Sequence, residues 1–262
     1  MKLNKQNLVN KLGYTKVQAD WYLKMATLIK VEDDGTVDGH KLHEVLEVKS
    51  RYNDWINNRI EKYGFIENVD YVTYYNFSTS NFTQDEVNAM SPQQRSRYGI
   101  TTEYKLTVNM AKELSMIENN EVGKEFRKYF IMSEEIAHKA IGWENTRESN
   151  VIAHEELTAT FKREYMNAHG NREPKGWMYG QLQNDVYWIV FGVDANSMKE
   201  VLEIKHYESI PNNVVQQIDE ALTWTYNRMQ ILIEMGMIDN REERTNKIAE
   251  MFDKKFGGII EF

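Results

Sequence analysis

Apolar residues recur at helical spacing over most of this chain and switch to strict alternation in one stretch only. In residues 4–28, Leu8, Val9 and Leu12 fall three or four apart. Gly13 reads as a helix stop and Thr15 as the cap of a second helix. The segment predicts an N-terminal helical hairpin; a small DNA-reading helix–turn–helix is the alternative. Asp33, Asp34 and Gly35 mark a turn, and Asp38 is placed to cap a short helix carrying Leu42, Val45 and Leu46. Ser50 is placed to cap the next helix, residues 51–63, and Gly64 to end it. On that helix Tyr52, Ile56, Ile60 and Tyr63 form one stripe. Arg51, Arg59 and Lys62 form another, with Trp55 at the border. The two helices have the layout of a helix–turn–helix.

The period then becomes two. In residues 70–77, Tyr71, Thr73, Tyr75 and Phe77 share a face; in residues 100–107, Ile100, Thr102, Tyr104 and Leu106 do. These two strands predict a hairpin with a long polar tip that carries Arg95 and Arg97. Helical spacing returns at 107–117, and Asn119 or Asn120 restarts a helix with Glu121 in its first turn. There Val122, Phe126, Tyr129 and Phe130 make an apolar stripe, opposite Lys124, Arg127 and Lys128. This helix is expected to run to about Gly142. A polar, partly helical stretch follows, with turn residues between Gly170 and Gly176. The remainder predicts a helix to Phe191, a turn at Gly192, and a helix after Asp194. A further helix carries Val215, Ile218, Leu222, Tyr226, Met229 and Ile233, and a charged one stops at Gly257 and Gly258.

Composition narrows the function more than the fold. The chain has 262 residues, 41% hydrophobic and 27% charged, an ordinary globular mix. It has no cysteine, which excludes disulfides, thiol nucleophiles and thiolate-bound zinc. The longest apolar run, 186–193, is far short of the roughly 20 residues that span a bilayer. The first residues have no apolar core of the secretory kind, so a cytoplasmic protein without membrane partners is expected. The net charge of −8 is uneven: +2 over 1–36, −3 over 37–139 and −7 over 140–262. Phosphates repel such a chain outside local basic faces, and a basic protein partner suits its sign.

No catalytic constellation emerges. His40 and His43 are three apart, yet no third ligand has a recognisable spacing. His154-Glu155 begins like a zinc-protease helix, but position 158 is Thr158 rather than histidine. Phosphate-binding glycine loops and nucleophile elbows are missing from the sequence. Basic faces remain: Lys49, Arg51, Trp55, Asn58, Arg59 and Lys62 on or beside one helix, Arg95 and Arg97 in the tip, and Lys124, Arg127 and Lys128. Each is either a contact surface or a solvated helix face.

Two stretches go beyond generic pattern. Residues 37–71, VDGHKLHEVLEVKSRYNDWINNRIEKYGFIENVDY, resemble the opening of the AntA/AntB family of phage antirepressor domains. The resemblance rests on Leu42, His43, Glu44, Tyr52, Asn53, Trp55, Ile56, Tyr63, Gly64, Phe65, Glu67, Asp70 and Tyr71. Residues 104–130, YKLTVNMAKELSMIENNEVGKEFRKYF, are similar to the closing block of that family. Residues 179–205 loosely resemble a C-terminal module of phage antirepressors, with Gln183 where a threonine is expected.

The resemblance implies a non-catalytic phage or prophage regulator, without cofactor, that lifts repression of lytic genes in a bacterial host. Its partner would be a phage repressor or a host regulatory protein. The expected fold is α+β: an N-terminal helical pair, a β-hairpin and two helices, followed by a mainly α domain. The expected domains are a helical extension 1–30, the antirepressor-like domain 31–142, a helical linker 143–176 and an interaction domain 177–262. Self-association is expected through the helix near 121–140 or the apolar helices after 213. The alternative function is a direct DNA-binding regulator, with Arg51, Arg59 and Lys62 on phosphates and Asn57 or Asn58 on a base edge.

Overall fold

The computed structural model describes residues 1–77 and 82–257. The chain divides into two compact units, residues 20–134 and residues 1–19 with 135–262. The first is α+β and the second is helical.

In the unit of residues 20–134, the end of α2 (Lys16–Ala26) leads to β1 (Thr36–Asp38), α3 (Gly39–Val45) and α4 (Tyr52–Tyr63). Then come β2 (Tyr71–Asn76), α5 (Gln84–Ala89), α6 (Pro92–Arg97), β3 (Thr101–Thr107), α7 (Val108–Ile117) and the start of α8 (Glu121–Ala168). The hairpin forms as its alternation predicts. Tyr71 lies opposite Leu106, Thr73 opposite Tyr104 and Tyr75 opposite Thr102, so the two expected faces join. A third strand, β1, pairs antiparallel with β3 on its other side and places buried Val37 opposite Leu106. Three residues are too short to show a period, so the pattern gave no sign of it.

The hairpin tip also departs from expectation. It holds α5 and α6, each started by a reciprocal capping box, Thr83 with Glu86 and Ser91 with Gln94. Local capping sets these helices, and Val87 is their buried anchor. Residues 78–81 of the tip lie outside the described residues.

Most expected boundaries hold. Asp38 accepts from the Lys41 amide at 3.0 Å, and Thr107 from the Met110 amide at 3.2 Å. Gly64 ends α4 at φ 72°, a left-handed geometry that glycine adopts freely. Ser50 does not cap α4; Arg51 stands at that position with no side-chain cap bond. Tyr63, expected in the buried stripe, is exposed at the last turn. Leu42, Leu46, Ile56, Leu106, Met110, Leu114 and Phe126 form the core.

The second unit contains α1 (Lys5–Asn10), the start of α2, α8 from Glu135, α9 (Gly176–Phe191) and α10 (Ala195–Val201). A 3-10 turn (Ile210–Asn213), α11 (Gln216–Glu234) and α12 (Arg241–Phe256) complete it. Helix α8 does not stop near Gly142 but continues to Ala168. Along it Ile136, Trp143, Asn150 and Leu157 are buried at intervals of seven, a narrow seam that charged residues hide in the sequence. Gly142 lies inside the helix, where a Cβ would come within 2.7 Å of the Gln216 side-chain oxygen. Gly192 ends α9 in the left-handed region and Asp194 caps α10, as expected. Gly257 follows α12, whereas Gly258 is outside the described residues. Leu157, Phe161, Val186, Leu222, Tyr226, Met229, Ile233 and Ile248 build the core.

Candidate interaction surface

The expected contact residues divide according to what already holds them. Glu118 directly follows α7 and is 5% exposed. Its Oε1 accepts from Trp55 Nε1 and from Arg59 Nε, each at 2.8 Å. That ion pair raises the pKa of Arg59, because the carboxylate favours the charged guanidinium. Arg127 donates through Nη1 to the carbonyls of Met116 at 2.7 Å and Glu118 at 2.8 Å. A cation there meets the negative end of the helix dipole and its unpaired carbonyls. Asn120, just before α8, donates to the Leu46 carbonyl at 2.7 Å and accepts from the Gly123 amide at 2.8 Å. Trp55, Arg59 and Arg127 are thus engaged in tying α4, α7 and α8 together.

The other expected residues reach solvent. Lys49 and Arg51 are exposed on the link from α3 to α4. Asn58 is exposed beside Arg59 Nη1, at 3.3 Å, whereas Asn57 accepts from the Tyr104 hydroxyl at 2.9 Å. Lys62 lies over the Tyr63 ring at 5.3 Å. On α6, Arg95 is half-buried over the Tyr75 ring at 4.3 Å, and Arg97 is exposed. Lys124 and Lys128 form ion pairs one turn away, with Glu121 at 3.5 Å and Glu125 at 2.6 Å. Among the exposed apolar side chains of this unit are Ile66, Val69, Val72, Tyr74 and Tyr98. Such cations and rings suit contact with another macromolecule.

The two histidines share Tyr52 as a ring neighbour but turn their Nε2 atoms to different partners. His40 Nε2 lies 2.7 Å from Glu103 Oε2, and its ring stacks on Tyr52 at 3.5 Å. His43 Nε2 lies 2.9 Å from the Ser50 carbonyl, and the ring meets Trp55 edge-on. Burial pushes the Tyr52 hydroxyl far above the ordinary tyrosine range. In the other unit His154 packs edge-on against Tyr226, and burial lowers its pKa.

Sequence reasoning missed the part played by Glu118. Its signal lay in the Glu-Asn-Asn-Glu block, where Glu118 and Asn120 both prove to be structural. Glu103, an acidic residue inside a strand, carried no signal, yet it is 8% exposed and joins His40 and Thr101.

Among the described residues no helix is long and apolar enough to cross a membrane. No curated protein matches the chain. The stretch from β1 to the residue before α8, residues 37–120, matches the family model of the AntA/AntB antirepressor, and its opening and closing blocks frame the Trp55–Arg59–Glu118 junction.

Proposed function

We propose that this protein is a phage antirepressor that relieves repression by binding a repressor or another regulatory protein, without catalysis. The match of residues 37–120 to the antirepressor family carries this reading. The polar side chains and rings of the same unit supply a contact surface, with exposed Lys49, Arg51, Asn58 and Lys62 along one part and half-buried Arg95 and exposed Arg97 at the hairpin tip. The C-terminal part would take a second regulator or a second copy of the chain, and the acidic balance of residues 140–262 favours a basic regulator over the copy. The site of action is the cytoplasm of the bacterial host.

Direct DNA binding is the weaker reading. A helix–turn–helix at 38–63 would need Arg59 for phosphate, and Arg59 is spent on Glu118. The test uses the repressors of temperate phages, each bound to its fluorescent operator. The protein is expected to displace a repressor and lower the anisotropy, and charge reversal at Lys49, Arg51 and Arg97 is expected to weaken that displacement. Tight binding to operator alone, falling steeply with salt, would replace this reading with a DNA-binding one.

A further inference from the structure

Asp219 lies in the first turn of α11 and is fully buried. Neither of its carboxylate oxygens has a hydrogen-bond partner among the described residues. An ionised carboxylate in that position is costly, whereas a protonated one is tolerated. Burial accordingly pushes its pKa up to about 7, with Arg147 opposing the shift and Glu220 adding to it.

Arg147 projects from α8 and is engaged elsewhere. Its Nε donates to Asn212 Oδ1 at 2.7 Å and its Nη1 to Asn150 Oδ1 at 2.6 Å. Asn150 in turn donates to the backbone carbonyl of Asp219 at 3.3 Å. One turn earlier on α8, Trp143 Nε1 donates to the Val214 carbonyl at 2.8 Å. Trp143, Arg147 and Asn150 therefore hold the 3-10 turn and the start of α11 to one face of α8.

The titratable neighbours do not mask Asp219. His154 on α8 is kept neutral by burial, which lowers its pKa. Tyr187 on α9 and Tyr226 on α11 are kept neutral by burial, which raises theirs. Lys11, after α1, feels the charge of Arg147, and its pKa is lowered chiefly by burial. Glu220 disfavours a second negative charge beside it. Arg147 is the cation whose field acts on Asp219 most strongly.

We propose that Asp219 and Arg147 form a proton-dependent latch on the turn Ile210–Asn213. With Asp219 neutral, Arg147 holds Asn212 and the turn is fastened. When Asp219 loses its proton, the buried carboxylate draws the guanidinium, the bond to Asn212 breaks and the turn is released. The latch requires no partner and rests on the helical unit alone, so it stands apart from the antirepressor reading.

The test is hydrogen exchange of the amides of residues 212–214 in the full chain, corrected for intrinsic rates. Exchange is expected to rise between about pH 6 and about pH 8, by at most about tenfold per pH unit for one proton. Asp219→Asn is expected to keep the turn protected throughout, and Asn212→Ala to lose protection at both ends of the range. A carbon-13 titration of the Asp219 carboxyl in the unmodified chain is expected to show a midpoint near 7. A midpoint in the ordinary carboxylate range, or identical exchange profiles for the unmodified chain and Asp219→Asn, would overturn the latch. The titration decides the matter even if the variant does not fold.

Discussion

Each unit buries more than one carboxylate, Glu103 and Glu118 in the α+β unit and Asp185 and Asp219 in the helical one, and among them Glu118 and Asp219 are satisfied very differently. Glu118, in the α+β unit, receives an indole and a guanidinium, and its backbone carbonyl receives a second guanidinium. Asp219, in the helical unit, is more deeply buried, and neither of its oxygens has a hydrogen-bond partner among the described residues. A buried charge with good partners ties elements together, whereas one without partners holds on to its proton. The first acts as a fixed junction and the second is built to respond to pH.

Four experiments break or sharpen this contrast, all on the full chain. The largest effect is expected from Phe126→Ala, which empties the fully buried centre where α8 meets the sheet and helices of the α+β unit. It should cost about 3–5 kcal/mol in denaturant unfolding. Glu118→Ala should cost about 2–4 kcal/mol, because it strands Arg59 and the Trp55 N–H. A cost near zero would mean that the junction is ornamental.

Asp219→Asn should act with the opposite sign. The folded-state pKa of Asp219, about 7, lies above its ordinary value of 3.8. The folded protein thus keeps a proton that the unfolded chain loses near pH 4. Stability from this group is full below that point, falls as pH rises and reaches its floor above about pH 7. The Asn variant should therefore gain about 1–3 kcal/mol at pH 8 over the unmodified chain, and little at pH 4, in thermal melts. A gain independent of pH would remove the contrast between the two carboxylates. The smallest stability effect belongs to Arg97→Glu. This exposed site should change unfolding by less than about 0.5 kcal/mol, while still weakening capture of a repressor.

Much of the fold was legible because its cues are local. The alternation in 70–77 and 100–107 named both strands and their joined faces, and Asp38, Gly64, Gly192 and Asp194 marked helix ends. The errors arose where the decisive contact is distant. Helix α8 continues through a polar stretch because its buried side, with Trp143, Asn150, Ala153, Leu157 and Phe161, is covered by other helices of that unit. Strand β1 exists because β3 offers it an edge. The basic set on α4 looked uniform in sequence, yet Arg59 and Trp55 turn to Glu118, 59 and 63 residues away.

By itself the sequence determined the helix and strand periods, most caps, the uneven charge and a resemblance to an antirepressor family that the match of residues 37–120 to that family's model supports. Those properties depend on neighbours within a turn or two, or on residue types alone. Only the tertiary structure decided which cations face solvent, which carboxylate has partners and where a helix finds its seam. Burial and pairing are properties of residues far apart in the chain, and they exist only after it has folded.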